Sequence, residues 1–200
     1  MKGNVIVTGA TGFIGRALCK ELTRQNYNVI SVSSSNGDIA NLNVLSEFAD
    51  QKVLHVFHLA GLTFVPASWE KPYDFIQTNV LGTVSVLEFC RHNKINMTLV
   101  SAYIYGAEIV NPISEDTTPL PNNPYALSKK LAEDVCKFYS EFYQMNICIV
   151  RPFNVYGAGQ GEHFLIPGII KQIRHSKEVR VKDLQPKRDY IHLSDLVDCL

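Results

Sequence analysis

The chain lacks any apolar run long enough to cross a bilayer, and it carries no excess charge of either sign. Its 19 Lys and Arg balance 19 Asp and Glu, leaving a net charge of zero at pH 7. That balance removes the electrostatic footprint needed to hold nucleic acid or an anionic membrane surface, so neither is expected as a partner. No CxxC pair occurs among the five cysteines (Cys19, Cys90, Cys136, Cys148 and Cys199), and four of them sit in apolar stretches. They read as reduced core thiols of a cytoplasmic protein, and no disulfide or metal site is expected. Nor is a leader expected, because Met1-Lys2-Gly3-Asn4 runs directly into a buried-strand pattern. Repeats and low-complexity tracts are also absent.

What is present is ordinary for a globular enzyme. The 200 residues, 46% hydrophobic and 19% charged, can bury a sizeable core as one domain with part of a second. Short β-rich runs alternate with helical segments, the pattern of an α/β fold with a doubly wound parallel sheet. Strands are expected at 5–7, 28–33, 53–59, 97–101 and 147–151. Helices are expected at 13–25, 74–92 and 125–143, the first with Ile14, Ala17, Leu18 and Leu22 at helical spacing. The polar, proline-rich stretch 112–124 reads as a surface loop or lid. After it, 154–163 reads as a loop, 165–175 as a helix, 178–181 as a short strand, and Ser194-Asp195 as a helix start. The expected division is a dinucleotide-binding domain over 1–153 and the start of a substrate-binding portion over 154–200.

Three glycines, Gly9, Gly12 and Gly15, lie between the first strand and the first helix. The first permits a tight turn, the second lets backbone approach a pyrophosphate, and the third lets helix pack on strand. The helix N-terminus then offers free N–H groups and a positive dipole end to phosphates. Glycines alone can be structural turns, but this position in a βαβ unit favours dinucleotide binding. Neither an Asp nor an Arg ends the second strand, where an acidic residue would hold the ribose hydroxyls of NAD. Ser33 and Ser34 can hydrogen-bond a ribose or a 2′-phosphate, which leaves NAD and NADP both open, NAD placed first. Asp38, followed by Ile39, is positioned to meet the adenine.

Tyr125 and Lys129 are four residues apart on a helix and share one face. An ammonium beside a phenol stabilises the phenolate and is expected to lower the tyrosine pKa, giving a usable acid/base. Such a pair alone can equally be a solvent-exposed coincidence of helical spacing.

The company it keeps decides. Thr8-Gly9-Ala10-Thr11-Gly12-Phe13-Ile14-Gly15, His58-Leu59-Ala60-Gly61, Asn79-Val80-Leu81-Gly82-Thr83, Ser101 ahead of Tyr105-Gly106, Pro124-Tyr125-Ala126-Leu127-Ser128-Lys129, Arg151-Pro152-Phe153-Asn154-Val155-Tyr156-Gly157 and Arg188-Asp189-Tyr190-Ile191-His192 follow one another along the chain. In these blocks the sequence resembles the extended short-chain dehydrogenase/reductase family, the NAD-dependent epimerase/dehydratase group that acts on nucleotide sugars.

The resemblance implies a Rossmann-like fold and these roles. Gly9, Thr11, Gly12, Phe13 and Ile14 would line the pyrophosphate. Leu59, Ala60 and Gly61 would pass beside the adenosine and ribose, and Asn79, Pro152 and Lys129 would complete the cofactor contacts with Ser33, Asp38, Ile39 and Tyr125. Ser101 would hydrogen-bond the reacting sugar hydroxyl while Tyr125 moves its proton. Thr63, Asn154 and Arg188 would meet the nucleotide sugar. A guanidinium fork suits phosphate oxygens, although Arg188 can also pair with Asp189. The resemblance further implies a homodimer through a four-helix interface built from the two long helices.

Ser101 is followed by Ala102 and Tyr103, not by the acidic pair with which family dehydratases eliminate water, so dehydration is disfavoured. Tyr103 reads as a packing aromatic. Epimerase and 4-keto-reductase activities both remain: Ala60-Gly61-Leu62 resembles sugar 4-epimerases. The stretches Gly37-Asp38, Ser68-Trp69-Glu70-Lys71-Pro72 and Leu184-Gln185-Pro186 resemble 4-keto-6-deoxy-sugar reductases. Family members usually continue for a further substrate-binding lobe, so the C-terminal lobe is expected to be incomplete. A catalytically impaired dinucleotide-binding protein is the competing expectation from another class.

Overall fold

Val5, Ile6 and Val7 form the middle of a strand that is buried on both of its faces, and the fold is assembled around it. The computed structural model describes residues 1–106, 112–181, 183–185 and 187–200. Strands β1 (Asn4–Thr8), β2 (Asn28–Val32), β3 (Val53–His58), β4 (Asn96–Val100) and β5 (Ile147–Val150) form one sheet in the order β2-β1-β3-β4-β5. Every pairing is parallel, with Ile6 beside Ile30 and Val56, and Val56 beside Met97.

Period-two alternation sorts these side chains to two faces. Ile6, Val56, Met97 and Leu99 enter one core with Val86, Leu87 and Cys90 of α4 (Gly82–Asn93) and Ala132 and Cys136 of α5 (Pro124–Tyr143). Val5, Val7 and Phe57 are buried on the other face, where α1 (Phe13–Arg24) packs on β1 and β2 and buries Leu18 and Leu22. Each fully buried aliphatic side chain contributes on the order of 2 kcal/mol, so helices on both faces are what keeps this sheet closed to water.

Local signals explain the ends of α5. Asn123 caps it by accepting the Ala126 amide at 2.9 Å, Pro124 occupies the first turn, and Gln144 ends it in the left-handed region at φ 56°. The helix expected over 74–92 is not uniform. It runs as α3 (Pro72–Ile76), a π-helical turn over Gln77–Leu81, and α4, with the short α2 (Val65–Glu70) ahead of it. The π turn carries Asn79 into the interior, and such one-residue insertions recur at functional sites.

Residues Met1–Pro152 form one compact unit and Phe153–Leu200 a second. In the second, β6 (Asn154–Tyr156) pairs in parallel with β7 (Tyr190–His192), and α6 (Leu165–His175) and α7 (Leu193–Cys199) complete it. Two expectations are corrected here. The loop expected from 154 opens with a strand, because β7 supplies a partner distant in sequence. The strand expected at 178–181 does not form, since Gln172 of α6 binds both the Arg180 amide (2.8 Å) and the Arg180 carbonyl (3.2 Å). Pro186, part of the reductase-like stretch, lies outside the described residues. Among the described residues no helix is long and apolar enough to cross a membrane.

Candidate active site

The chain leaves β1 and turns at Gly9, whose φ of +68° lies in the left-handed region. A Cβ there would stand 2.7 Å from the Ala60 nitrogen, so only glycine lets the turn lie against the end of β3. At Gly15 a Cβ would lie 2.2 Å from the Gly9 carbonyl oxygen, which is why α1 can begin so close to β1. Gly12 occupies the N-cap of α1 and supplies no side-chain cap, so the first amides at Phe13 and Ile14 meet no capping side chain. Thr11 is exposed, and its carbonyl accepts from Arg16 at 2.6 Å. A glycine cradle beneath an uncapped helix N-terminus fits the pyrophosphate of a dinucleotide.

The loop after β2 is internally bonded. The Ser33 hydroxyl caps the turn over Ser34–Asn36 and lies 2.8 Å from the Ser35 hydroxyl, while Asn36 accepts the Ser33 amide. Asp38 accepts from the Ala40 amide and from Gln77, each at 3.0 Å, which ties this loop to the π turn. Ile39 is buried and packs against Gly82, where a Cβ would come within 2.7 Å of it.

Leu59, Ala60 and Gly61 continue from β3 past the glycine turn. Asn79 holds the next residue: its Oδ1 accepts the Leu62 amide (2.8 Å) and its Nδ2 donates to the Leu62 carbonyl (3.1 Å). The same Nδ2 donates to the Ser128 hydroxyl at 2.8 Å, and that hydroxyl donates to the Tyr125 carbonyl at 2.7 Å. The Asn79 side chain thus braces β3's extension against α5. Thr63 is exposed.

At the end of β4, Ser101 donates its amide to the Val150 carbonyl at 2.8 Å and is 5% exposed. Its Oγ is buried and has no hydrogen-bond partner, a condition unique to it among the described side chains. A buried hydroxyl without a partner costs on the order of 1–3 kcal/mol, so it is suited to a hydroxyl delivered by a ligand. Lys129 reaches the same strand end, its Nζ donating to the Val100 carbonyl at 2.7 Å. Tyr125 sits in the first turn of α5, partly exposed, with its ring edge-on to Phe75.

The tyrosine pKa departs from expectation. Desolvation pushes the Tyr125 phenol up to about 12 from an ordinary 10.0. Burial pulls Lys129 down to about 8 from 10.5, opposed by Cys136 and Glu133. The ammonium is spent on Val100, and loss of water dominates at the phenol.

Behind the pair lies an unforeseen clamp. Arg151 grips the Glu133 carboxylate with Nε (3.0 and 3.1 Å) and Nη2 (2.6 Å), and Nη1 donates to the Tyr105 hydroxyl (2.7 Å) and the Glu115 carbonyl (3.1 Å). The only hints in sequence are that Glu133 follows Lys129 by one turn and that Arg151 opens its own motif block. Tyr103 packs edge-on against Tyr105 and donates to the Gly106 carbonyl, as a packing aromatic should. Pro152, half-buried, ends the first unit.

In the second unit the Asn154 side chain donates to the Asp189 carbonyl at 2.8 Å. Arg188 is exposed, and no ion pair joins it to Asp189 among the described residues.

Comparison with known proteins identifies the family. The model of the NAD dependent epimerase/dehydratase family matches residues 5–200. GDP-6-deoxy-D-mannose reductase of Pseudomonas aeruginosa is 30% identical over 210 residues, covering 98% of this chain and 69% of the relative. The structure of RMD from Pseudomonas aeruginosa complexed with NADPH superposes with a TM-score of 0.87 at 28% identity, over 98% of this chain and 72% of that one. UDP-glucose 4-epimerase from Thermotoga maritima, solved with UDP-glucose, superposes with a TM-score of 0.91 at 25% identity, over 98% and 71%. The parallel sheet and the family match over residues 5–200 point the same way, and the chain belongs to the NAD dependent epimerase/dehydratase family.

Proposed function

We propose that this chain is an NAD(P)-dependent enzyme that moves a hydride at one carbon of a nucleotide diphosphate sugar, C4 in the leading reading, as a 4-epimerase. The observation that carries it is the unpartnered, buried Ser101 Oγ at the end of β4, on the strand end that Lys129 also reaches. When bound, the nicotinamide supplies the hydride acceptor or donor. Gly9, Thr11, Gly12, Phe13 and Ile14 hold its pyrophosphate, with Leu59, Ala60 and Gly61 beside the adenosine.

Ser101 orients the reacting sugar hydroxyl by giving it the hydrogen bond that the hydroxyl lacks in the free chain. Tyr125 takes the hydroxyl proton on oxidation and returns it on reduction. At pH 7 Lys129, with its pKa near 8, is mostly charged; bonded to the Val100 carbonyl, it anchors α5 at the strand end where Ser101 stands and keeps a positive charge on the helix that carries Tyr125. In the second unit Arg188 offers a fork that suits a diphosphate, with Asn154 as a further polar group there; in the first unit, Thr63 is the exposed hydroxyl assigned to substrate.

A second reading, reduction of a 4-keto-6-deoxy sugar, is favoured by the 30% identical reductase. One experiment separates them. Purified protein is given UDP-, GDP-, CDP- and dTDP-sugars with NAD, NADP or their reduced forms, and products are resolved by chromatography and NMR. Epimer formed without net change in cofactor supports the first reading. Stoichiometric oxidation of NADH or NADPH with a keto sugar supports the second. No turnover of any sugar, with Ser101→Ala indistinguishable from wild type in ligand binding, contradicts both.

We also infer a homodimer through α4 and α5, a four-helix contact. Supporting it, Leu127, Phe138, Phe142 and Tyr143 of α5 are 43%, 49%, 63% and 49% exposed. Apolar side chains in that number along one helix are a recognised mark of an interface. Light scattering is expected to give twice the chain mass, and Phe142→Glu to halve it.

A further inference from the structure

Five buried polar residues, Thr8, His58, Thr83, Asn79 and Ser128, are 0%, 1%, 1%, 1% and 0% exposed, and each is hydrogen-bonded to the next. The order of donors along this chain follows from one fact. The Thr83 hydroxyl donates its single hydrogen to the Asn79 carbonyl at 2.7 Å. Toward His58 Nε2, 3.2 Å away, the same oxygen must therefore accept, so Nε2 carries the imidazole hydrogen.

The other side of the ring gives the same answer independently. Thr8 Oγ1 accepts the Ala60 amide and shares the Leu59 amide with the Thr8 backbone carbonyl, all at 3.2 Å, which uses its lone pairs. Its hydrogen then points to His58 Nδ1 at 2.7 Å, which must be bare. A charged imidazole would turn Nδ1 into a third donor to Thr8 and strand the threonine hydrogen. Burial and the nearby Lys129 ammonium act in the same sense, holding His58 down at about 3 from 6.5.

The wire runs from the Leu59 and Ala60 amides through Thr8, His58 and Thr83 to the Asn79 backbone. The Asn79 side chain then reaches Ser128, which donates to the Tyr125 carbonyl. It joins the strand ends around the glycine turn to the helix that carries Tyr125 and Lys129.

We propose that His58 is a positioning residue: as the neutral Nε2–H tautomer it links, in one donor direction, the dinucleotide end of β1 and β3 to the π turn and α5. This rests on the functional reading above, and it adds a residue to which that reading gives no part. The Nε2 half of the link sets the catalytic helix through Thr83 and Asn79. The Nδ1 half sets the strand ends through Thr8.

The two halves are separable by substitution. Gln can place an amide N–H near Nε2, whereas Asn can place a carbonyl oxygen near Nδ1. Turnover per folded molecule is expected to fall less than threefold in His58→Gln and at least tenfold in His58→Asn and His58→Leu, with the sugar-nucleotide KM within twofold throughout. A merely structural histidine would lower the melting temperature alike in all three and leave kcat per folded molecule unchanged, which overturns the proposal, as does His58→Asn surpassing His58→Gln. Nitrogen-15 NMR of the wild-type protein without cofactor reads the tautomer directly, even where variants fail to fold. A protonated Nε2 with a bare Nδ1 from pH 8 down to pH 5 supports the wire, and an Nδ1–H or doubly protonated ring overturns it. Wild-type protein inert toward all nucleotide sugars would instead count against the functional reading, with the tautomer still deciding the wire.

Discussion

Lys129 directs its ammonium to the backbone carbonyl of Val100, 2.7 Å away, and so joins α5 to the residue before Ser101. The bond explains how a cation survives in the interior. It does not offset the full cost of burial, since the lysine is pulled down to about 8 from 10.5.

The alkaline limb of activity should report this lysine. Its charged form prevails at pH 7 and is lost as pH rises through about 8, so kcat/KM is expected to fall above pH 8. Stability moves the opposite way, because between about 8 and 10.5 the unfolded chain keeps a proton that the folded chain has released. The buried ammonium therefore costs about 3 kcal/mol at pH 7, and Lys129→Met is expected to lose activity while melting no lower than wild type. Thermal melts at pH 7 with a pH–rate profile check both halves.

Arg151 and Glu133 make the opposite bargain. Their side chains are 14% and 1% exposed, and the guanidinium also serves Tyr105 and the Glu115 carbonyl. Arg151→Met should cost about 3–5 kcal/mol, since it leaves a buried carboxylate unpaired. Adding Glu133→Gln to that variant should restore at least about 1 kcal/mol, because an amide is cheaper to bury than a lone charge. Urea unfolding of the two variants and wild type measures this.

His58 should dominate a distinct acid limb of stability. Its folded value near 3 lies below the ordinary 6.5, so the stability it confers is full above pH 6.5 and is lost as pH falls toward 3. Between pH 7 and pH 4 that loss is about 3 kcal/mol. The stability gap between wild type and His58→Gln is expected to narrow by about that amount over the same range, followed by denaturant titration at each pH.

The parts of this fold that sequence reveals are those set by local periodicity and sterics. Val5 to Val7, the almost unbroken apolar run into His58, and the spacing of Gly9 and Gly15 each announce their structure without a partner. The π turn at Gln77–Leu81 does not, because what it accommodates is Asn79 reaching Leu62 and Ser128. The three-residue strand β6 is equally silent until β7 is known to pair with it. Within the site, spacing places Tyr125 over Lys129, but the direction of the phenol's shift depends on desolvation, which only the packed structure supplies. His58 is visible as a motif residue. Its bonds to Thr8 and Thr83 span 50 and 25 residues, and no local pattern reports them.

The most direct test of the account is Tyr125→Phe, which removes one oxygen from a residue with no side-chain role in the brace at Ser128. Turnover of the best nucleotide sugar is expected to fall by a factor of about 10²–10⁴, the usual contribution of a general acid/base, with dinucleotide Kd within twofold by calorimetry. A variant that keeps wild-type turnover would remove Tyr125 from the chemistry and contradict the site described here.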